Sequence, residues 1–196
     1  MQIRPATPAD APALAALAAE TFPLACPPGT LPEDIEGFIR ANFRPEQFAA
    51  HASDPERLLL VAESADSNGL TGYTLSNFGV PADPDIRAAL AHQGHDAGPL
   101  TAEISKVYVR EQAHGSGAAA ALLSRTLHEI CARGGHPVYL GVNQQNQRAQ
   151  RFYVKHGFAV AGTKQFRVGA QTHDDYVLSL APAGVPGSQP MSGTSS

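Results

Sequence analysis

The residues with the clearest chemical potential form one junction, where a strand-like segment meets a glycine-bearing loop and a helix of small residues. This junction runs from Val107 to Ala120 and places two glycines, Gly115 and Gly117, just before the helix. Because glycine tolerates unusual backbone angles, several N–H groups of such a loop can converge on one anion. The start of the helix adds about half a positive charge. The junction therefore predicts a phosphate or pyrophosphate site.

Two familiar phosphate loops fit this junction poorly. A Walker loop needs a lysine after its last glycine, and Ala118 stands there instead. A dinucleotide-binding fingerprint is formally matched by Gly115, Gly117 and Ala120, but it also requires an acidic residue at the end of the next strand. The next predicted strand, residues 137–142, has none. A purely structural alternative stays open, in which the glycines serve only the packing of the helix on the strand.

Two motifs in this order resemble one known superfamily. The first, Gln112-x-x-Gly115-x-Gly117, resembles the Gln/Arg-x-x-Gly-x-Gly/Ala loop with which GNAT N-acetyltransferases hold the pyrophosphate of acetyl-CoA. The second resembles that superfamily's other signature: Leu140-Gly141-Val142-Asn143-x-x-Asn146-x-x-Ala149-x-x-Phe152-Tyr153-x-x-x-Gly157-Phe158. The resemblance covers about residues 2–180.

This resemblance implies a cofactor, acetyl-CoA (CoA), and residues that bind it. The strand before the loop would bear a bulge and splay from its neighbour, and the backbone of Val107, Tyr108 and Val109 would bond the pantetheine arm. Asn146 would bond the same arm. The pyrophosphate would be held by the loop and the start of the helix, namely Gln112, Ala113, His114, Gly115, Ser116, Gly117 and Ala118.

The resemblance also implies two catalytic residues. Tyr153 matches the general acid that protonates the departing thiolate, and a phenol suits that leaving group. The alternative for Tyr153 is an aromatic side chain packed between Phe152 and Phe158. Glu103 lies near the start of the central strand, where several members use a carboxylate to deprotonate the amine. Its alternative is a solvated charge at a strand end. The acetyl group would pass directly to the amine, without a covalent intermediate.

The acceptor is implied less specifically. Segments 20–45 and 160–178 would shape its cleft, and Glu20-Thr21-Phe22, Leu140-Gly141-Val142 and the Val168-Gly169 turn look similar to bacterial polyamine (spermidine/spermine) N-acetyltransferases. A cationic amine would need carboxylates, and several are available: Glu20, Glu33, Asp34, Glu36, Asp174 and Asp175. A protein N-terminus or lysine, an aminoglycoside-type amine, and a non-catalytic acyl-CoA sensor stay as alternatives.

Composition narrows the remaining possibilities. The 196 residues carry 14 Lys and Arg against 18 Asp and Glu, a formal net charge of −4, which argues against nucleic acid as a partner. The two cysteines, Cys26 and Cys131, match neither a disulfide framework nor a metal site. We place Cys131 on the apolar face of its helix, as a buried thiol. No metal, no signal segment and no membrane span is predicted, so we expect a cytoplasmic enzyme with a small-molecule amine acceptor. The resemblance is compatible with a homodimer.

Hydrophobic periodicity predicts an α/β fold, in which helices flank a mixed, mostly antiparallel central sheet. The predicted strands are 2–5, 57–63, 70–75, 102–109, 137–142, 158–168 and 174–180. The predicted helices are 7–22, 32–43, 45–52, 115–133 and 146–156. We expect one N-acetyltransferase domain over residues 1–180, with a Pro- and Gly-rich insertion at about 79–100 over the sheet edge and a disordered tail at 181–196.

Overall fold

The computed structural model describes residues 1–64, 69–92 and 100–180. Within these ranges the strands are Gln2–Pro5 (β1), Arg57–Glu63 (β2), Leu70–Gly79 (β3), Thr101–Val109 (β4), Val138–Asn143 (β5), Ala159–Val168 (β6) and Gln171–Leu180 (β7). The α-helices are Ala11–Thr21 (α1), Pro32–Asn42 (α2), Pro45–Ser53 (α3), Pro84–His92 (α4), Ala118–Ala132 (α5) and Gln147–Lys155 (α6).

One sheet contains all seven strands, in the order β1-β2-β3-β4-β5-β7-β6. Every neighbouring pair is antiparallel except β4 and β5, which are parallel. A parallel pair needs a crossover connection, and α5 supplies it. The prediction of a mixed, mostly antiparallel sheet flanked by helices is confirmed.

Alternation along the strands divides the core between the two faces of the sheet. In β2, Leu58 and Leu60 pack with α5 residues such as Leu122, while Leu59 and Val61 pack on the opposite face with α1 and α3. Leu60 and Leu122 are completely buried, and full burial of a leucine side chain contributes roughly 1.5–3 kcal/mol. The sheet is therefore covered by packed helices on both faces.

The first helical segment begins as its sequence predicts. Asp10 accepts hydrogen bonds from the Thr7 backbone nitrogen at 2.7 Å and from Thr7 Oγ1 at 2.9 Å, and a short 3₁₀ turn at Pro8–Asp10 leads into α1. Arg4 binds Asp10 through both terminal nitrogens, at 2.8 and 2.9 Å, and also pairs with Glu63. This network joins the start of the helical layer to the first two strands.

The predicted insertion contains a packed helix. Ile86 and Leu90 of α4 are buried against Tyr139 and Val177, so α4 lies over the last three strands on the face that also carries α1. Residues 93–99 of the segment lie outside the described residues. So do residues 65–68, between β2 and β3, and the predicted tail, 181–196.

The boundaries of some helices and strands, and the burial of one cysteine, differ from the prediction. Helix α5 begins at Ala118 rather than at residue 115, because Gly115 and Gly117 adopt positive φ angles. Strand β3 extends to Gly79, and β7 begins at Gln171. The prediction that Cys131 is buried is wrong, since its thiol is exposed. It follows the buried Ile130 by one position, which turns it about 100° away from the core face.

Candidate active site

Strands β4 and β5 separate soon after they pair. Their parallel register contains only two matched pairs, Ala102 with Val138 and Glu103 with Tyr139. On its other edge β4 pairs with β3 through a register shift, because Ile104 and Lys106 face consecutive residues of β3 and leave Ser105 extra. Such a bulge bends a strand and increases its twist. The result is a fork in the middle of the sheet.

A cleft of about 800 Å³ passes through this fork. We call one part the loop half, lined by the β4–α5 loop and the start of α6. We call the other part the aromatic half, which lies on the α1 and α2 face of the sheet. Its lining includes four phenylalanines and four charged side chains, namely Phe22, Phe38, Phe43, Phe166, Glu103, Lys106, Lys164 and Asp175. The two halves meet at the fork.

The loop half offers backbone N–H groups. Gly115 and Gly117 have φ angles of +81° and +86°, a region that other residues rarely adopt. Around them the amides of Gly115, Gly117, Ala119 and Ala120 make no hydrogen bond to any described residue. Four free donors at the start of the 15-residue helix α5 form a site for an anion.

The side chains of this loop contribute less than its backbone. The His114 Nε2 lies 3.1 Å from the Val109 carbonyl oxygen, and Ser116 Oγ donates to the Ala113 carbonyl oxygen at 2.7 Å. Both polar groups are therefore engaged within the loop itself. Of the sequence-predicted residues here, the structure brings Ala113, His114, Gly115, Gly117 and Ala118 to the cleft, but not Gln112 or Ser116.

The predicted arm-binding residues all line the cleft. Val107, Tyr108 and Val109 lie on the β4 side of the fork, and Asn146 lies at the start of α6. The Asn146 Oδ1 accepts a hydrogen bond from the Ala149 backbone nitrogen at 3.0 Å and so caps α6. Its Nδ2 group makes no hydrogen bond to a described residue. One side chain thus orders the helix that carries Tyr153 and keeps two donors free.

Tyr153 combines aromatic packing with a free hydroxyl group. Its ring forms edge contacts with Phe152, at a centroid distance of 5.2 Å, and with Phe158, at 5.7 Å. Its hydroxyl makes no hydrogen bond to a described residue. Burial raises the pKa of Tyr153 well above its ordinary value, so the phenol stays protonated at neutral pH and can donate a proton.

Glu103 is half-buried in the aromatic half and is held in place. Its Oε2 accepts a hydrogen bond from Asn77 Nδ2 at 3.0 Å. Lys106 lies nearby on the same strand, with its Nζ 5.8 Å from the Phe43 ring centroid. Burial lowers the pKa of Lys106, and attraction to Glu103 opposes part of that change. The carboxylate of Glu103 is thus oriented and is not a freely solvated strand-end charge.

Sequence reasoning counted Asp175 among the carboxylates available to an amine but missed Lys164, its cross-strand partner. Asp175 is 7% exposed, and burial raises the pKa of its carboxyl group. Lys164, the opposite residue on the neighbouring strand, lines the same cleft. Alternation along the final hairpin could have placed both on one face with Phe166, but only if the hairpin register had been known.

A forked parallel strand pair, a glycine loop with free backbone amides and a partly buried phenol thus share one cleft. A family model described as the acetyltransferase (GNAT) family matches residues 20–158. The chain belongs to the GNAT acetyltransferase family. The matched region includes the β4–α5 loop and extends through α6, so both halves of the GNAT cleft lie largely within it.

Sequence relatives agree with this GNAT assignment. An uncharacterized N-acetyltransferase of Mycobacterium tuberculosis is 43% identical over 169 residues, which are 86% of this chain and 96% of the relative. The protein is therefore an N-acetyltransferase of the GNAT family.

Solved structures show the same fold. The PaiA N-acetyltransferase of Thermoplasma acidophilum, in complex with coenzyme A, superimposes with a TM-score of 0.68 at 20% identity, covering 91% of this chain and 96% of that one. The ribosomal-protein-alanine N-acetyltransferase of Brucella melitensis superimposes with a TM-score of 0.62 at 26% identity, covering 92% and 99%.

The part of the chain that the structure describes lacks two further features, a metal site and a membrane-spanning helix. Across residues 1–64, 69–92 and 100–180, no group of three His, Cys, Asp or Glu side chains is placed to hold a metal ion. In the same part of the chain, every helix is too short or too polar to cross a bilayer.

Proposed function

We propose that this GNAT acetyltransferase transfers the acetyl group of acetyl-CoA directly to a primary amine. The observation that carries the proposal is the fork between β4 and β5, which joins a phosphate-type cradle to a pocket that holds carboxylates. Tyr153 stands beside the fork and Glu103 at its base. A donor of protons and an acceptor of protons thus flank one opening.

The residues of the loop half fit the cofactor. Free amides at Gly115, Gly117, Ala119 and Ala120 supply donors for a pyrophosphate. A Cβ atom added to either glycine would meet no other atom within 4 Å, so an anion can approach the backbone closely on that side. The unpaired edge of β4 beyond Glu103 offers Val107 and Val109 backbone groups to the pantetheine arm, and Asn146 adds its free Nδ2 group.

The reaction then needs two proton movements. Acetyl-CoA, when bound, supplies an acetyl thioester. A carbon–nitrogen bond forms as the carbon–sulfur bond breaks, so the amine loses a proton and the sulfur gains one. Glu103, oriented by Asn77, accepts the proton directly or through water. Tyr153 donates its hydroxyl proton toward the sulfur, and its raised pKa keeps that proton available at neutral pH. The backbone amides of β4 stabilise developing negative charge.

The charges of the aromatic half bear on the acceptor. A polyamine acceptor would be favoured by a surplus of carboxylates, but Glu103 and Asp175 are balanced by Lys106 and Lys164. None of the relatives reported above is named for a polyamine. A polyamine therefore stands as one candidate among several, beside a protein N-terminus or lysine and an aminoglycoside-type amine. A non-catalytic acyl-CoA sensor is the candidate that lacks turnover.

An acceptor panel tests the proposal. The purified protein is mixed with acetyl-CoA and, separately, with spermidine, an alanine-terminated peptide, a lysine-containing peptide, kanamycin and free amino acids. Mass spectrometry detects acetylated products, and a thiol reagent detects released CoA. We expect stoichiometric CoA release with at least one amine. Tight acetyl-CoA binding by calorimetry without any product would instead support the sensor.

We further propose that the enzyme works in the cytoplasm and associates through a sheet edge. The thiols of Cys26 and Cys131 are both free, which suits a reducing compartment. In the described sheet β1 and β6 are the outer strands. Analytical ultracentrifugation tests the association, with a dimer mass expected and a monomer mass at high protein concentration contradicting it.

A further inference from the structure

Lys164 and Asp175 reach the same spot in the aromatic half of the cleft. They are cross-strand partners in β6 and β7, and β5 passes beside them with Gly141. A Cβ atom on Gly141 would lie 2.5 Å from Lys164 Cε, 2.8 Å from Lys164 Nζ and 3.4 Å from Asp175 Oδ2. The absence of a side chain at position 141 therefore leaves the room in which both charges meet.

Lys164 and Asp175 attract each other, but neither is held in a close ion pair. Lys164 makes no hydrogen bond to a described residue, and its nitrogen does not come within 4.0 Å of a described carboxylate oxygen. Asp175 accepts one long hydrogen bond, from Asn143 Nδ2 at 3.3 Å. A carboxylate that is only 7% exposed loses solvation and normally recovers it through close partners. Here most of that capacity is left for a ligand.

The pair shares one cleft with the proposed general acid. Tyr108, Tyr153 and Asp175 all line it. A group bound at Asp175 therefore enters the same cleft as the phenol of Tyr153. Lys164 lies farther out along β6, beside Phe166 on the same face. Phe166 packs edge-on against Phe38, with the ring centroids 5.8 Å apart.

From this arrangement we propose that the acceptor is a zwitterion, an amine that carries a carboxylate on an adjacent carbon and an apolar side chain. Asp175 binds the ammonium group, Lys164 binds the carboxylate, and Phe38 and Phe166 contact the side chain. This inference rests on the proposed acetyl transfer and names the class of its acceptor. A free α-amino acid has this chemistry, whereas a polyamine or an internal lysine does not.

The bound ammonium has to become an amine before it reacts. The ammonium group loses one proton to become a neutral amine, and the nitrogen loses a second proton as the carbon–nitrogen bond forms. Tyr153 gives one proton to the sulfur and is then reprotonated from solvent. The products are the N-acetylated amino acid and free CoA, with one proton released overall. Neighbouring carboxylates at Asp175 and Glu103 can accept these protons.

Acceptors that differ only at the carboxyl group test whether the carboxylate is recognised separately from the ammonium group. Each of L-alanine, L-leucine and L-phenylalanine is compared with its amide and with the corresponding amine that lacks the carboxyl group, and kcat/KM is measured from CoA release. We expect at least one amino acid to exceed both of its analogues by about tenfold or more, since a charge-assisted hydrogen bond contributes on that order.

Variants then assign the preference to Lys164. Lys164→Gln should lower kcat/KM for the acid about tenfold more than for the amide, so that the preference is lost, and Lys164→Arg should retain the preference. Asp175→Asn should weaken all three acceptors together. Arg167→Gln is the matched control, because Arg167 is an exposed residue of the same strand that faces away from the cleft, and it should change neither value.

A binding measurement makes the test independent of turnover. Calorimetric titration of the preferred amino acid and its amide into CoA-saturated protein should show the same order, with the difference lost in Lys164→Gln. The inference is overturned if no acid is preferred over its amide, or if Lys164→Gln lowers acid and amide equally. Turnover of spermidine or of peptides alone would overturn this inference and keep the acetyltransferase, whereas failure of every amine would count against the proposed function itself.

Discussion

The two halves of the cleft are built from different materials. The loop half is made of backbone: four free amides, two glycines and one unpaired strand edge, all between Val107 and Ala120 apart from the capping residue Asn146. The aromatic half is made of side chains that come from α2, β4, β6, β7 and the turn after α1. Backbone donors suit a ligand shared by a whole family, and side chains suit a ligand that differs between its members. We therefore expect the loop half to bind the cofactor and the aromatic half to select the acceptor.

The largest effect on kcat should come from Tyr153, where the loop half and the aromatic half meet. Tyr153→Phe removes only a hydroxyl group, so we expect kcat to fall about 1000-fold, within the usual range for a general acid. The affinity for CoA, measured by calorimetry, should not change, because the loop half is intact. Since burial raises the pKa of Tyr153, wild-type kcat should also show no loss from this group below about pH 10.

Tyr176→Phe is the control for that variant, because Tyr176 is on β7 outside the cleft lining. An unchanged kcat in Tyr153→Phe would remove the acid role and leave Tyr153 as a packing residue. A fall in CoA affinity without a fall in kcat would instead assign Tyr153 to cofactor binding.

The next effect belongs to the aromatic half. Glu103→Gln keeps the shape of the side chain but removes its capacity to accept a proton, so we expect kcat to fall about 100-fold. Steady-state kinetics should show this while CoA affinity and the melting temperature stay at wild-type values. Glu129→Gln, in an exposed ion pair on α5, should leave kcat unchanged. Equal kcat values in both variants would exclude Glu103 as the base.

The third-largest effect should come from a change in the loop half alone. Gly117→Val forces a β-branched residue into a φ of +86°, a strain of about 1–3 kcal/mol that the chain relieves by changing the loop. We expect CoA affinity to fall about tenfold to 100-fold in calorimetry. Gly135→Val strains the other end of α5, at a φ of +65°, and should lower stability without changing CoA affinity. Similar losses of affinity in both variants would mean that strain, not the cradle, is responsible.

The smallest effect concerns the helical layer above the aromatic half. Arg4 and Thr7 hold the pKa of Asp10 well below its ordinary range. A carboxyl group with a lowered folded-state pKa contributes stability above its unfolded pKa of about 3.9, and that contribution is lost as the pH falls below it. Asp10→Asn removes the charge that pairs with Arg4, so it should cost about 1 kcal/mol of unfolding free energy at pH 7, measured in urea, and less at pH 3.

A difference between Asp10→Asn and wild type that stays constant from pH 7 to pH 3 would contradict the role of this charge. CoA affinity provides the internal control, because the loop half does not touch this network.

The same contrast explains what sequence could predict. The loop half is formed by contiguous residues and the fold follows from hydrophobic periodicity, so both could be predicted from the sequence. The aromatic half joins Phe22, Phe38 and Phe166, which are up to 144 positions apart in the sequence, and their meeting depends on hairpin register and helix placement. Even within the loop, the pattern alone could not tell that Gln112 and Ser116 are not part of the cleft lining. The exposed Cys131 shows the same limit, because one position around a helix reverses its environment.

The fork has one further consequence, for the sheet itself. Beyond Glu103 and Tyr139 the facing edges of β4 and β5 are open in the interior of the sheet, and open edges normally invite another strand to add. Here the gap is bounded by α5 on one face and by α1 and α2 on the other. We expect the pantetheine arm, a thin and extended chain with amide groups, to enter this gap and to take the place of the missing strand. The sheet is in this sense unfinished, and we expect the bound cofactor to complete its row of hydrogen bonds.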